Sequence, residues 1–429
     1  MNINLSKIRI MNMSRFIAFA FIAAAFAACT SATKTDNANP DKTDMTSVDS
    51  IAADTIVVEP ELTLSELNID DFEMDYFKEI TKTAGDKSFT ASPLSASFAL
   101  AMIANISDSM LQNRIIKALK FDSLPQLNKS ILKDLDLLAK DTVDAKLFIG
   151  NSLWLSENQL IRLDSKRQTL QKYLKATVED IDFSNGLTSE RIANWGYDAT
   201  DGHISPNIAK FNNDCAIMVM NLIYYEGKWK RPFNDRNTHK QAFYTTNGER
   251  EAEMMHKNSL ESYYNADNFQ AVMMDLKNDC SLILILPNKG LTPLDVLGTL
   301  RSSTLNSIIK ESKTVYMNLS LPQFEIKTEQ TIIEPLERMG ITIHTTQFKD
   351  IGIKHLEHIS LNQLAKIKID ESGSQASAET TMIGTISIED DEPVYEYVEI
   401  IFDKPFIYIL RNKNTKSIIM AGQYTGPEK

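Results

Sequence analysis

Cysteine is scarce in this chain, with three in 429 residues at positions 29, 215 and 280, which excludes a disulfide-framed scaffold. Cys215 and Cys280 each open an apolar run, where a buried free thiol is commonplace and a disulfide between the two is the open alternative. Enzyme signatures are missing as well: there is no Gly-x-Ser-x-Gly elbow, no His-Glu-x-x-His, no Cys-x-x-Cys and no phosphate-binding glycine loop. Among six histidines only His355 and His358 stand at helical spacing, and a surface pair is the simpler reading than a metal site. Nothing calls for a metal or a cofactor. Basic charge is also lacking. The formal net charge of -12 leaves no cationic stripe to neutralise phosphates, so no nucleic-acid partner is expected.

What is there is ordinary globular composition, 43% hydrophobic and 24% charged, over a length that supports a large core. The N-terminus stands apart. Lys7, Arg9 and Arg15 precede an apolar run over residues 16–28 that is too short to span a membrane as a mature helix. Residues 1–28 therefore read as a signal peptide. Cys29, directly after two alanines, resembles the lipidated cysteine of a bacterial lipobox, with Phe26 at the position usually held by leucine and an ordinary secretory cut as the alternative. This places the protein in a bacterial cell envelope, facing the periplasm or the outside, held to a membrane by lipid on Cys29. Residues 29–60, rich in Thr, Asp, Ala, Asn and Lys, read as a disordered tether.

Residues 61–429 contain no linker-like stretch and no repeat, so they read as one domain. Its first half has helical spacing. Ser92-Pro93 marks a helix start before Leu94, Phe98, Met102 and Ile106, and residues 111–120 and 127–138 continue the pattern. The second half reads as strands at 216–225, 271–277, 281–287, 315–326, 397–402, 406–411 and 417–424, with turns at 277–279 and 412–415 and a short helix at 332–339 closed by Gly340. Helices first and strands later predict an α+β domain, not a doubly wound nucleotide fold.

One stretch fits neither core nor helix. Residues 370–384 carry an acid pair, a glycine and then small uncharged side chains broken by one glutamate, with no bulky group before Met382. As a strand, one face would hold Ser374, Ala376, Ala378 and Thr380, all uncharged, while Glu379 falls on the other. The composition otherwise suits an exposed loop. It reads as a loop able to become a strand.

Four separated segments give this pattern a family. Residues 89–95 with 99–102, residues 221–229 followed by Pro232, Phe233 and Thr238, residues 370–374, and residues 402–406 with Gly422 resemble, in order and spacing, the serpins. The resemblance covers nearly all of residues 61–427. It implies a serpin fold: a helical N-terminal half packed on a large central mixed β-sheet, further antiparallel sheets, and an exposed reactive-centre loop over 372–392. It also implies roles by position. Ser92, Ser95, Asn221 and Gln363 match the shutter beneath the opening of the central sheet, and Trp229 matches the breach, where the loop enters. Glu371, Gly373, Ser374, Ala376, Ala378 and Thr380 match the hinge. Gln363 departs from the family, many members of which have a histidine there that hydrogen-bonds toward the asparagine matched by Asn221; glutamine also donates and accepts.

The implied activity is suicide inhibition of a protease, not an enzyme activity of its own. The protease cleaves the loop, the freed part inserts as a strand, and the acyl-enzyme is trapped covalently. Inserted residues 374–387 would span roughly 45 Å. Counting from Glu371 puts the scissile bond at Ser387-Ile388; counting back from Phe406 puts it several residues later, and strand length favours the first. No Lys or Arg lies between Lys368 and Lys404, which argues against trypsin-like targets. Residues 385–388 suit elastase-like or subtilisin-like proteases, Glu389 and Asp390 leave an acid-specific protease open, and a cysteine protease is a further alternative. So is a non-inhibitory, serpin-fold binding lipoprotein. A monomer partnered only by its protease and the membrane is expected.

Overall fold

The computed structural model describes residues 70–139, 145–158, 161–207, 215–353, 358–371 and 394–427. Cys29, Gly373, Ser374, Ala376, Ala378, Thr380, Ser387 and Ile388 lie outside the described residues. So do the signal peptide, the tether and the loop. Residues Glu59–Lys429 form one compact unit.

Its chain order is α1 (Asp70–Ala84), β1 (Phe89–Ala91), α2 (Pro93–Ile106), α3 (Ser109–Ala118), α4 (Leu124–Leu138), β2 (Ala145–Ser156), α5 (Ser165–Leu174), β3 (Thr177–Ile181), α6 (Thr188–Ala199) and β4 (Cys215–Gly227). Then follow β5 (His239–Thr245), β6 (Gly248–Asn265), β7 (Phe269–Asp275), β8 (Cys280–Pro287), α7 (Pro293–Thr299), α8 (Ser302–Glu311), β9 (Lys313–Pro322), β10 (Phe324–Thr331), α9 (Ile333–Arg338), β11 (His358–Ile369), β12 (Tyr397–Ile401), β13 (Phe406–Asn412) and β14 (Ile418–Tyr424). The expected α+β class holds. Helices and strands segregate less than the sequence suggested, because β2 and β3 interrupt the helical half. Residues 150–156 of β2 are buried without alternation, a pattern that does not announce a strand by period.

α2 explains where the core sits. Ser92 caps it, Pro93 occupies its first turn, and every residue of Pro93–Ile106 is buried, so this helix is apolar on all sides and runs through the interior. A five-stranded mixed sheet, in the order β10-β11-β4-β2-β3, covers it. The remaining nine strands join one second sheet, β1-β14-β13-β8-β7-β6-β9-β12 with β5 on β6.

Two expectations need correction. Residues 315–326 are not one strand: β9 ends at Pro322 in the nine-stranded sheet and β10 starts at Phe324 in the other. Proline offers no ladder donor, and the chain changes sheets at Gln323. His358 opens β11 rather than sharing a helical face with His355, which lies outside the described residues. The thiols Cys215 and Cys280 are free and buried. Burial pushes Cys215 up to about 12 and Cys280 up to about 11, so both stay protonated and inert.

Candidate functional site

β4 and β11 lie side by side and parallel at the centre of the five-stranded sheet, paired from Cys215 and His358 up to Glu226 and Lys368. Midway, Gln363 stands opposite Asn221. Asn151 of β2 is opposite Asn221 on the other side, and Gln330 of β10 is opposite Gln363. Register partners share a face, so four amides cross the sheet in one row.

The row is not bonded end to end. Gln363 makes no bond to Asn221; its two-methylene arm carries the amide to the start of α2 instead. There its Oε1 accepts from the Ser92 N–H at 3.0 Å and the Tyr76 hydroxyl at 3.2 Å, while its Nε2 donates to the Ser92 carbonyl at 2.7 Å. The side chain thus pairs with the main chain of one residue in both directions, as a neighbouring strand would. Asn221 turns the other way. Its Nδ2 donates to Asn151 Oδ1, and Asn151 Nδ2 donates to the Leu174 carbonyl at 2.8 Å. Asn221 Oδ1 is buried without a partner.

Ser92 ties this centre to the second sheet. Its hydroxyl donates to the Ile419 carbonyl of β14 at 2.6 Å and accepts from the Ser95 N–H at 3.0 Å. Ser95 serves through its backbone, since its hydroxyl has no partner. Every group named here is buried and neutral. Burial raises the Tyr76 phenol well above its ordinary range, against the pull of Gln363. Tyr76 and Asn151 were not found from sequence, because Gln363 meets its phenol partner across 287 positions and no local motif marks so distant a contact.

The upper end of the same seam is built differently. Trp229, just past β4 and 1% exposed, donates its Nε1–H to the Asp370 carbonyl just past β11 at 2.8 Å. That bond clasps the seam shut. Glu371 accepts from Thr238 and from Gln323, the residue where the chain changes sheets. On the open face, Lys368 reaches Glu226 across the seam at 3.8 Å and Asp370 at 2.7 Å. Beside Trp229 is an ion cluster absent from any sequence expectation. Lys257 and Glu261 pair at 2.8 Å with both side chains buried, Arg231 adds a contact to Glu261 at 3.1 Å, and the Lys257 ammonium lies 4.6 Å from the Phe233 ring centre. Burial pulls the Lys257 pKa down, and Glu261 opposes that pull. Lys257 and Glu261 sit four apart on a strand, a spacing that advertises an ion pair only on a helix.

Of the residues singled out from sequence, Ser92, Ser95 and Gln363 therefore meet in one buried centre, Asn221 stands beside it facing β2, and Trp229 and Glu371 meet at the top. The described residues hold no cluster of three or more metal-ligating side chains. No helix among them is long and apolar enough to cross a membrane.

A family model described as serpin (serine protease inhibitor) matches residues 67–427. Neuroserpin of Gallus gallus is 26% identical over 377 residues, covering 82% of this chain and 89% of that protein. Plasminogen activator inhibitor 1 of Sus scrofa is 25% identical over 375 residues, covering 82% and 90%. Among solved structures, the thermophilic serpin tengpin in its native state superposes with a TM-score of 0.76 at 25% identity, over 86% of this chain and 96% of that one. The fold is thus shared over most of the chain, and the chain belongs to the serpin family.

Proposed function

We propose that this serpin inhibits a protease by suicide-substrate trapping. Cleavage at Ser387-Ile388 would leave the acyl group on the protease, with the new amine departing on Ile388. Residues from Ser374 would then enter between β4 and β11 before water reaches the ester. The sequence observation that carries this reading is the uncharged face formed by Ser374, Ala376, Ala378 and Thr380, directly after the last residues of β11. An unpaired charge on that face would cost several kcal/mol to bury. The topology agrees with it, since one inserted strand replaces a parallel contact by two antiparallel ones, which pair slightly better per residue. The small apolar sequence around 385–388 favours an elastase-like or subtilisin-like target.

The test incubates the full chain with elastase-like, subtilisin-like, trypsin-like, acid-specific and cysteine proteases. A band stable in SDS, with the cut mapped by mass spectrometry near Ser387, is the expected result for the first two. Cleavage without such a band across the panel would overturn the inhibitor reading in favour of a non-inhibitory binding protein. Ser374→Arg should turn the inhibitor into a plain substrate; undiminished complex formation by that variant would sink the insertion argument. The same reading keeps the protein as a monomer on a bacterial envelope through lipid at Cys29. Cys29→Ser should leave the membrane fraction, and its retention there would refute the anchor.

A further inference from the structure

β12 is the edge strand of the nine-stranded sheet and pairs in parallel with β9. Its side chains alternate cleanly: Val398 and Ile400 turn inward, whereas Tyr397, Glu399 and Ile401 face solvent. Register then builds rows across the outward face. Tyr397 stands opposite Tyr316, and Tyr316 opposite Leu260 of β6. The two tyrosine rings are 6.3 Å apart and remain 61% and 44% exposed. Two neighbouring tyrosines left in water at a sheet edge are an anchor without a load, because this residue type dominates contact energy where partners dock.

Charge gives the row a direction. Glu396 is exposed beside it, and Glu399 is exposed with its Oε1 accepting from Asn318. The sequence leading in, Glu389 through Glu392, is acidic throughout, and no Lys or Arg lies between Lys368 and Lys404. Lys313, exposed three residues before Tyr316 at the start of β9, is the one cation on these two strands.

We propose that this tyrosine and glutamate face is a secondary docking surface for the protease cut at Ser387-Ile388, one whose matching surface is basic and apolar. This rests on the inhibitor reading above. Eight residues separate Ile388 from Tyr397, at most about 30 Å of extended chain. A standard protein interface covers about 800 Å² on each partner, more than a cleft gripping one loop supplies. The body of the protease on that short leash must rest on whatever lies beside the point where the loop rejoins the sheet, and the Tyr316 and Tyr397 row is there. Charge of one sign on each side speeds the encounter and makes it salt-dependent.

The experiment measures the second-order rate of complex formation by the full chain with whichever elastase-like or subtilisin-like protease it traps, in low and moderate salt. Tyr316→Ala with Tyr397→Ala should slow association at least fivefold and leave the proportion of trapped to cleaved inhibitor unchanged. Glu396→Gln with Glu399→Gln should flatten the fall of rate with salt. Should the double tyrosine variant unfold, Tyr397→Ala alone, at the more exposed position, gives the same readout. A smaller slowing, with complexes still forming, overturns the docking surface and leaves inhibition standing. No complex with any protease overturns both. A wild-type dimer in sedimentation that the tyrosine variants dissolve assigns the face to a second copy of the chain and overturns the proposal.

Discussion

The middle and the top of one seam are closed by opposite means. At the middle, Gln363, Ser92, Tyr76 and Asn151 use neutral amides, a phenol and backbone, all buried. At the top, the neutral Trp229 clasp is joined by charged Lys368, Glu226 and Glu371, partly in water, with the buried Lys257 and Glu261 pair of β6 beside them. The lesson concerns where a sheet can open. A neutral buried network is indifferent to salt and proton and fails only if a partner is deleted, whereas exposed ion pairs contribute about 0–1 kcal/mol and yield easily. Opening should begin at the top, where the loop leaves β11.

The largest effect expected tests the middle. Gln363→Leu strands the Ser92 N–H, the Ser92 carbonyl and the Tyr76 hydroxyl in a dry site, at about 1–3 kcal/mol for each orphaned group. A fall in the denaturant midpoint equivalent to roughly 3–5 kcal/mol is predicted, and a loss within about 1 kcal/mol would erase the contrast. Next comes the buried pair at the top. Glu261→Gln takes the carboxylate from Lys257 and leaves its charge only the Arg231 carbonyl at 3.0 Å and the Phe233 ring, and breaking such a pair costs about 3 kcal/mol or more. Replacing both, as Lys257→Met with Glu261→Leu, should recover most of that loss in the same unfolding measurement. Trp229→Phe keeps a ring but removes the clasp on Asp370; about 1 kcal/mol is expected, together with faster conversion to a heat-stable, loop-inserted form. Conversion at the wild-type rate would show that the clasp does not gate opening.

The smallest effect is acid sensitivity. His256 lies at the top, its ring 4.4 Å from that of His239, its Nδ1 2.7 Å from Ser320 Oγ and its Nε2 buried without a partner. Burial, and then His239, lower its pKa below 6.5. The unfolded chain therefore binds the proton more readily, so the associated stability is complete above about pH 6.5 and drains as pH falls toward the folded value. The melting temperature should drop slightly between pH 7 and 5, by less than about 1 kcal/mol equivalent, and His256→Gln should flatten the profile.

Much of this contrast was visible in the sequence, and the remainder was hidden for physical reasons. Ser92-Pro93 announces its helix through local capping chemistry, and the spacing from Glu371 back to Gln363 follows strand geometry. Those signals are local. The partners are not: Tyr76 reaches Gln363 from α1, and Asn151 comes from a strand whose unbroken burial hides its period. The expected tie from Gln363 to Asn221 failed because residues opposite each other in register need not bond when a longer arm finds a better peptide. The Lys257 and Glu261 pair was unreadable because its spacing belongs to helices while its backbone is a strand. Position on a strand is written along the chain, but the choice among nearby partners is made only once the layers have packed.

The order in which the seam is made has a consequence for the newborn chain. β4 ends at Gly227 and its parallel neighbour begins only at His358. At about 5–20 residues per second, synthesis leaves that edge waiting roughly 7–26 s for its partner. During the wait a long row of apolar side chains and unpaired peptide groups is open to any passing strand. A chaperone that binds extended, apolar segments would find its best foothold on β4, and would have to let go before β11, in the last sixth of the protein, could pair with it.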